Sequence, residues 1–480
     1  MNRKLLAIAV VAILAVAGLW LWKRGDLKLP SLAPAGWSKS YGGAQDEEFN
    51  SVLLLDGGDY LVAGGVSSFG AGRQDAWLMK LDPAGQPLWQ KAYGGPEDEE
   101  ALSLQKTADG NFIMTARVES FGAGGMDLWV LKLDPAGQPL WQETIGGKDW
   151  DYAPALKPLA QGGYLVAGGS GSWRAGNNDL WVLKLDEQGK IVWQKTYGSD
   201  QWDYAAAVLP LADGGCVVVG GTQSFGAKDF DGWALKLDPH GQVLWQKMIG
   251  GDKEDRFYAI LLTADQNYLI AGATASFGAG SSDVWVVKLN PAGQILWQKT
   301  YGGKSEDKAF SIQAVSDGGY LVLAHSQSFG PGASDAWLLK LDANGQLWWQ
   351  KSYGSKLVDR IYASQETPDR GFIVAGGSNS FGAGQADGWL FKLDRDGNMS
   401  KDCPAGVSGA ALGNSDAKVQ DTNAVPTDSQ AVVIASTVKP IPTDAVIHSQ
   451  CPPEKSVKVE AAKKPKLPAP APGQKAGGTP

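Results

Sequence analysis

Chemistry that moves protons or holds metals needs histidine, cysteine or clustered carboxylates, and this chain offers little of the first two. Its three histidines, His240, His325 and His448, share no spacing that would assemble a metal site or a nucleophile–base pair. The three cysteines lack zinc-site spacing. Cys403 and Cys451 are positioned for one disulfide if the domain is exported, and Cys216 falls in an apolar run. The repeated SFGAG segments lack the lysine and following helix that phosphate binding needs. The expectation is therefore a protein without catalysis, metal or cofactor.

Carboxylates and aromatics remain. Asp75, Asp127, Asp179, Asp231, Asp283, Asp335 and Asp387 form one series at a constant interval, and Glu47, Glu99, Asp151, Asp203, Asp255, Asp307 and Asp359 form a second. Each acid is suited to accept backbone N–H groups of a neighbouring glycine-rich loop; the other reading is an acidic ring that holds cations or a basic peptide. Seven equivalent carboxylates offer no asymmetry for catalysis. Asymmetry enters one residue later, where the copies read Glu48, Glu100, Tyr152, Tyr204, Arg256, Lys308 and Arg360. Trp150 and Trp202 precede the acid in two adjacent copies, giving Trp-Asp-Tyr-Ala twice, and Trp173-Arg174 replaces Phe-Gly in one. Trp150, Asp151, Tyr152, Trp173, Arg174, Trp202, Asp203 and Tyr204 are thus the candidate binding patch, beside the charged arc of Glu48, Glu100, Arg256, Lys308 and Arg360. Exposed indoles beside carboxylates suit sugar stacking or a protein hot spot, and packing between loops is the competing structural reading.

The elements that carry these residues are repeats. Trp37, Trp89, Trp141, Trp193, Trp245, Trp297 and Trp349 are each 52 residues apart, and Trp77, Trp129, Trp181, Trp233, Trp285, Trp337 and Trp389 keep the same interval. Seven such copies fill residues 37–400. Within the second copy, Ala101–Thr107, Phe112–Val118, Asp127–Leu133 and Pro139–Thr144 alternate β-branched and aromatic residues between Gly, Asp and Pro turns. That pattern predicts four antiparallel strands, A to D. One such sheet cannot bury both faces, whereas seven arranged radially can. The fold class expected is all-β, a seven-bladed β-propeller over 37–402, with residues 36–42 supplying the missing outer strand of the seventh blade. The longer D–A and B–C loops share one face, which is where binding is expected.

The repeat DGGYLVAG…SFGAG…DxWLxKLDxxGxxxWQK resembles bacterial and archaeal propeller repeats, over all of 37–400. Its segment Lys80-Leu81-Asp82-Pro83-Ala84-Gly85-Gln86-Pro87-Leu88-Trp89 is similar to the tryptophan-docking motif of quinoprotein-type propellers, departing by one residue between aspartate and glycine. No two cysteines are adjacent, so the vicinal disulfide of those dehydrogenases has no counterpart. The resemblance implies the fold, and a binding or scaffold role in the cell envelope, rather than redox activity.

The flanks set the compartment. Residues 5–22 are uncharged and mostly apolar between Arg3-Lys4 and Lys23-Arg24, near the lower length limit of a spanning helix. Residues 1–24 are expected to be a transmembrane signal anchor followed by a linker, 25–36; a cleaved signal peptide ending near Ala17 is the other reading. Either places the propeller outside the inner membrane, on the periplasmic or extracellular side. The net charge of −8 is concentrated in 37–400, which argues against nucleic-acid binding. Residues 403–480 read as a disordered Pro/Ala/Lys-rich tail. The function expected is a protein-binding or assembly platform, with recognition of an envelope polysaccharide second and a quinone-dependent or other propeller enzyme third.

Overall fold

Strand-forming runs of six to eight residues, joined by tight A–B and C–D turns and longer B–C and D–A loops, pair with their neighbours in sequence. The structure, a computed structural model, describes residues 36–399 except 174–176 and 226–227, together with short strands between 411 and 449. In the first blade Glu47–Leu54, Tyr60–Val66, Asp75–Leu81 and Pro87–Tyr93 form an antiparallel sheet as strands A to D. The same order recurs to make seven sheets, a seven-bladed propeller. In the second blade strands B and C have the expected ends, while A and D extend to Glu99–Lys106 and Pro139–Gly146.

The core lies between blades. Leu78 and Tyr93 of the first blade are buried with Leu104, Met114, Trp129 and Leu131 of the second, and the strand-C tryptophans are the largest fully buried side chains. Trp77 pairs across the sheet with Gly64 on one side and Ala92 on the other, small neighbours that leave room for its indole. A side chain at Gly64 would lie 1.8 Å from the Glu48 carbonyl, because strand A is bulged between Phe49 and Ser51.

The tryptophan and tyrosine of strand D dock on the next blade's C–D turn. Tyr93 Oη donates to the Gly137 carbonyl at 2.7 Å, and Tyr41 Oη to that of Gly85 at 2.8 Å. Trp193 Nε1 donates to the Pro239 carbonyl at 3.0 Å. The ring closes as expected: Trp37–Gly42 pairs with Asp387–Leu393, and Trp389 Nε1 donates to Ser38 Oγ at 2.8 Å. The seventh sheet thereby gains its outer strand from the start of the chain.

Six short strands of the C-terminal segment add to outer D strands, in reverse blade order, from Ala411–Asn414 on the fifth blade to Val446–Ser449 on the seventh. At those places the backbone departs from an unstructured tail, since an open strand edge needs only N–H and C=O groups to pair. Residues 5–22, Cys403, Cys451 and 450–480 lie outside the described residues.

Candidate functional site

The two carboxylate series meet at the joints between blades. Asp75 is buried, and its Oδ2 accepts the N–H groups of Ala71 at 3.0 Å and Gly72 at 3.1 Å. Glu47 accepts those of Gly43 at 2.7 Å and Ser68 at 2.8 Å. Asp151 accepts the Gly147 N–H at 2.8 Å and the Ser172 hydroxyl at 2.6 Å, and Asp203 accepts the Ser224 hydroxyl at 2.7 Å. Gly94 sits in one such joint, where a Cβ would stand 2.2 Å from Asp75 Oδ1 and 2.5 Å from Glu99 Oε2. Burial, with Asp151 close by, pushes the Asp127 carboxyl up to about 6; burial, then Asp255 and Asp229, push Asp231 to about 7. These acids hold the long loops. The acidic-ring reading is corrected on this point, and Asp151 and Asp203 leave the ligand-facing set: they are buried and hydrogen-bonded within the joints.

The side chains one residue later face the central channel, because alternation along strand A turns them away from the joint. On one wall Glu100 forms an ion pair with Arg117, whose Nε lies 2.8 Å away, and accepts a hydrogen bond from Asn50 Nδ2 at 2.7 Å. Burial, reinforced by Glu100, raises the neighbouring Glu48 carboxyl to about 8. On the other wall Arg256 Nε lies 2.6 Å from Glu254, and Lys308 Nζ lies 3.0 Å from Glu306. Arg360 follows Val358 at the position where those acids stand.

A tier two residues further along the chain escaped the sequence reading. It holds Tyr258, Phe310 and Tyr362, with Tyr258 and Phe310 centroids 5.1 Å apart. His325 packs 4.3 Å from Phe310 and accepts the Ile361 N–H on Nε2 at 3.0 Å; burial lowers it to about 3, so it stays neutral. The same 52-residue register marks these positions, so period-two alternation from Glu48 was the signal available.

Between the aromatic and basic sectors lies a cavity of about 490 Å³ lined by Tyr152, Trp202, Tyr204, Gln223, Phe230, Arg256 and Tyr258. The Arg256 guanidinium sits 3.8 Å over the Phe230 ring and donates to Tyr204 Oη at 3.3 Å. Trp202 is 48% exposed beside this cavity, and Trp150, in the adjacent blade, is 65% exposed. Trp173 instead lies on Trp181, with centroids 5.5 Å apart, and Arg174 lies outside the described residues. The structure thus brings Trp202, Tyr152, Tyr204 and Arg256 together. Gln223, Phe230 and Tyr258 complete the lining.

No protein-family profile matches the chain. The regulatory protein FlaEY of Caulobacter vibrioides is 24% identical over 233 residues, 40% of this chain and 24% of that protein, so the match spans about a quarter of the relative's length. Among solved structures, Sqt1 of Chaetomium thermophilum bound to the N-terminus of the ribosomal protein L10 is similar at 12% identity and a TM-score of 0.44, covering 74% of this chain and 98% of that one. A putative oxidoreductase (glucose dehydrogenase) of Thermus thermophilus is similar at 13% identity and a TM-score of 0.34, covering 74% and 99%. An endo-1,5-alpha-L-arabinanase of Thermotoga petrophila is similar at 12% identity and a TM-score of 0.27, covering 74% and 100%. At these values the likeness is one of shape and transfers no activity.

Proposed function

We propose that the chain is a membrane-anchored, exported propeller that binds a polypeptide partner through its long-loop face and performs no catalysis. One observation carries this reading. Two exposed indoles, Trp150 and Trp202, stand in adjacent blades, and Trp202 borders an aromatic cavity with an arginine in its wall. Large rigid aromatics beside a guanidinium are what protein hot spots are made of.

The test uses the full chain, solubilised from membranes, as bait in an envelope extract, with a Trp150→Ala/Trp202→Ala chain as control. Each recovered protein is then titrated directly against both chains. A partner bound by the natural chain and at least tenfold more weakly by the double variant supports the reading. Recovery of polysaccharide alone, with tryptophan quenching by soluble glycans, would replace it with carbohydrate recognition.

A further inference from the structure

The channel mouth is not electrically even, and among the described residues an open charge lies on the seventh blade. In the charged arc around it, Glu100 is paired with Arg117, Arg256 faces Glu254, and Lys308 faces Glu306. Arg360 has no carboxylate within ion-pair distance among the described residues; Tyr362 and Glu48 are among the groups that feel its charge. Glu48, on the adjacent first blade, interacts electrostatically with it, and that carboxyl shares its environment with Glu100, Arg117 and Tyr362. Beside the basic sector lies the aromatic tier of Tyr258, Phe310 and Tyr362, and Arg360 itself is exposed. An aromatic-lined cavity therefore opens on the same channel as an uncompensated guanidinium.

Resting on the reading of the long-loop face as a polypeptide-binding surface, we propose that the segment it takes carries both an aromatic ring and a carboxylate. The ring enters the cavity between Trp202, Tyr204 and Phe230. The carboxylate takes the open charge of Arg360, with Lys308 beside it. Bidentate geometry favours a carboxylate over a neutral amide at such a guanidinium. Glu48 sets the pH range. While it keeps its proton, Arg360 is free for the ligand; once it ionises, a carboxylate of the protein's own competes for that charge.

The test is calorimetry of the full chain in detergent with three acetylated, amidated tetrapeptides: Tyr-Glu-Tyr-Glu, Tyr-Gln-Tyr-Gln and Tyr-Lys-Tyr-Lys. At neutral pH the glutamate peptide is expected to bind roughly tenfold more tightly than the glutamine peptide. Arg360→Gln removes that advantage, and Trp202→Ala weakens both peptides alike. Raising the pH from 7 to 9 erodes the advantage in the natural chain and leaves it intact in Glu48→Gln, which stays uncharged throughout. Near-ultraviolet circular dichroism checks that each variant is folded. Equal binding of the glutamate and glutamine peptides, tighter binding of the lysine peptide, or indifference to Arg360→Gln overturns the proposal. If a captured partner still depends on Trp150 and Trp202 while these charge effects are absent, the platform reading stands and the acidic-segment inference falls. If neither dependence is seen, both fall.

Discussion

The two faces of the ring are built from the same repeat and end up chemically opposite. On the short-turn face almost every blade repeats one solution. Lys80, Lys132, Lys288, Lys340 and Lys392 of strand C each reach an aspartate of the A–B turn or its flank, Asp59, Asp109, Asp265, Asp317 and Asp369. On the long-loop face the joints are equally regular, but the channel positions change from acid to aromatic to base around the ring. Regularity follows where a side chain has only its own blade's turn to satisfy. Variation is found where it meets solvent and anything dissolved there.

Tryptophan gives the sharpest form of that contrast. Trp129 is fully buried between the first two blades, so Trp129→Ala is expected to cost about 3–5 kcal/mol of stability, read from thermal or denaturant unfolding. Trp150→Ala, exposed on the long-loop face, should leave unfolding unchanged within about 0.5 kcal/mol and act on partner binding instead. Equal destabilisation by the two would break the distinction between the repeated core and the variable face.

A glycine on the short-turn face comes next in size. Gly137 has φ 72°, and a Cβ there would lie 2.9 Å from the Trp89 ring docked over its turn. Gly137→Ala is expected to lose roughly 1–3 kcal/mol through strain and displacement of that ring. Gly110, also at positive φ but with nothing near its missing Cβ, should lose less in the same substitution, strain being its whole penalty. The pair separates docking from backbone strain in one unfolding experiment.

How far could the sequence carry this picture? The fold was legible almost completely, because fourteen tryptophans at a fixed interval leave few ways to satisfy them. Strand ends slipped where a strand continues past its last apolar residue, as at Ile145-Gly146, which the ladder pairs regardless of side-chain pattern. Asp151 and Asp203 misled for a physical reason: a carboxylate beside a tryptophan in sequence points the other way on a strand, into the joint. Tyr258, Phe310 and Tyr362 were hidden because their copies in other blades are Asn50, Leu102, Pro154 and Ala206, so no conserved letter marks the channel tier. Phe230 and Gln223 come from loops and strand ends that only the closed ring brings beside strand A.

The long-loop face also carries a pH signature opposite in sign to that of the short-turn face, where Asp109, Asp265, Asp317 and Asp369 are held below the usual carboxylate value. Asp127 and Asp335 are raised to about 6, Asp231 to about 7 and Glu48 to about 8, burial being the first cause in each. A carboxyl whose folded value lies above its unfolded one binds more protons when folded, so stability falls as pH rises between the two values. Unfolding midpoints are therefore expected to decline from about pH 5 to pH 8 and then level. Asp231→Asn should flatten the upper part of that decline. A midpoint that rises over the same range would show that these joints are ionised and internally compensated.

The smallest effects test whether distance or surroundings decides the value of an ion pair. Lys288–Asp265 and Lys228–Asp252 are nearly equal in length, 2.8 and 2.7 Å. The Lys288 side chain is 8% exposed, however, against 71% for Lys228. Asp265→Ala strands a buried ammonium and should lower stability by about 1–2 kcal/mol. Lys228→Ala removes a cation that water and salt already screen, and should leave the unfolding midpoint where it was. Adding salt should weaken neither result, since the first depends on burial and the second has nothing to lose. If the exposed pair proved as valuable as the buried one, the regular face would owe its stability to charge attraction itself, and not to the closed environment that the next blade provides.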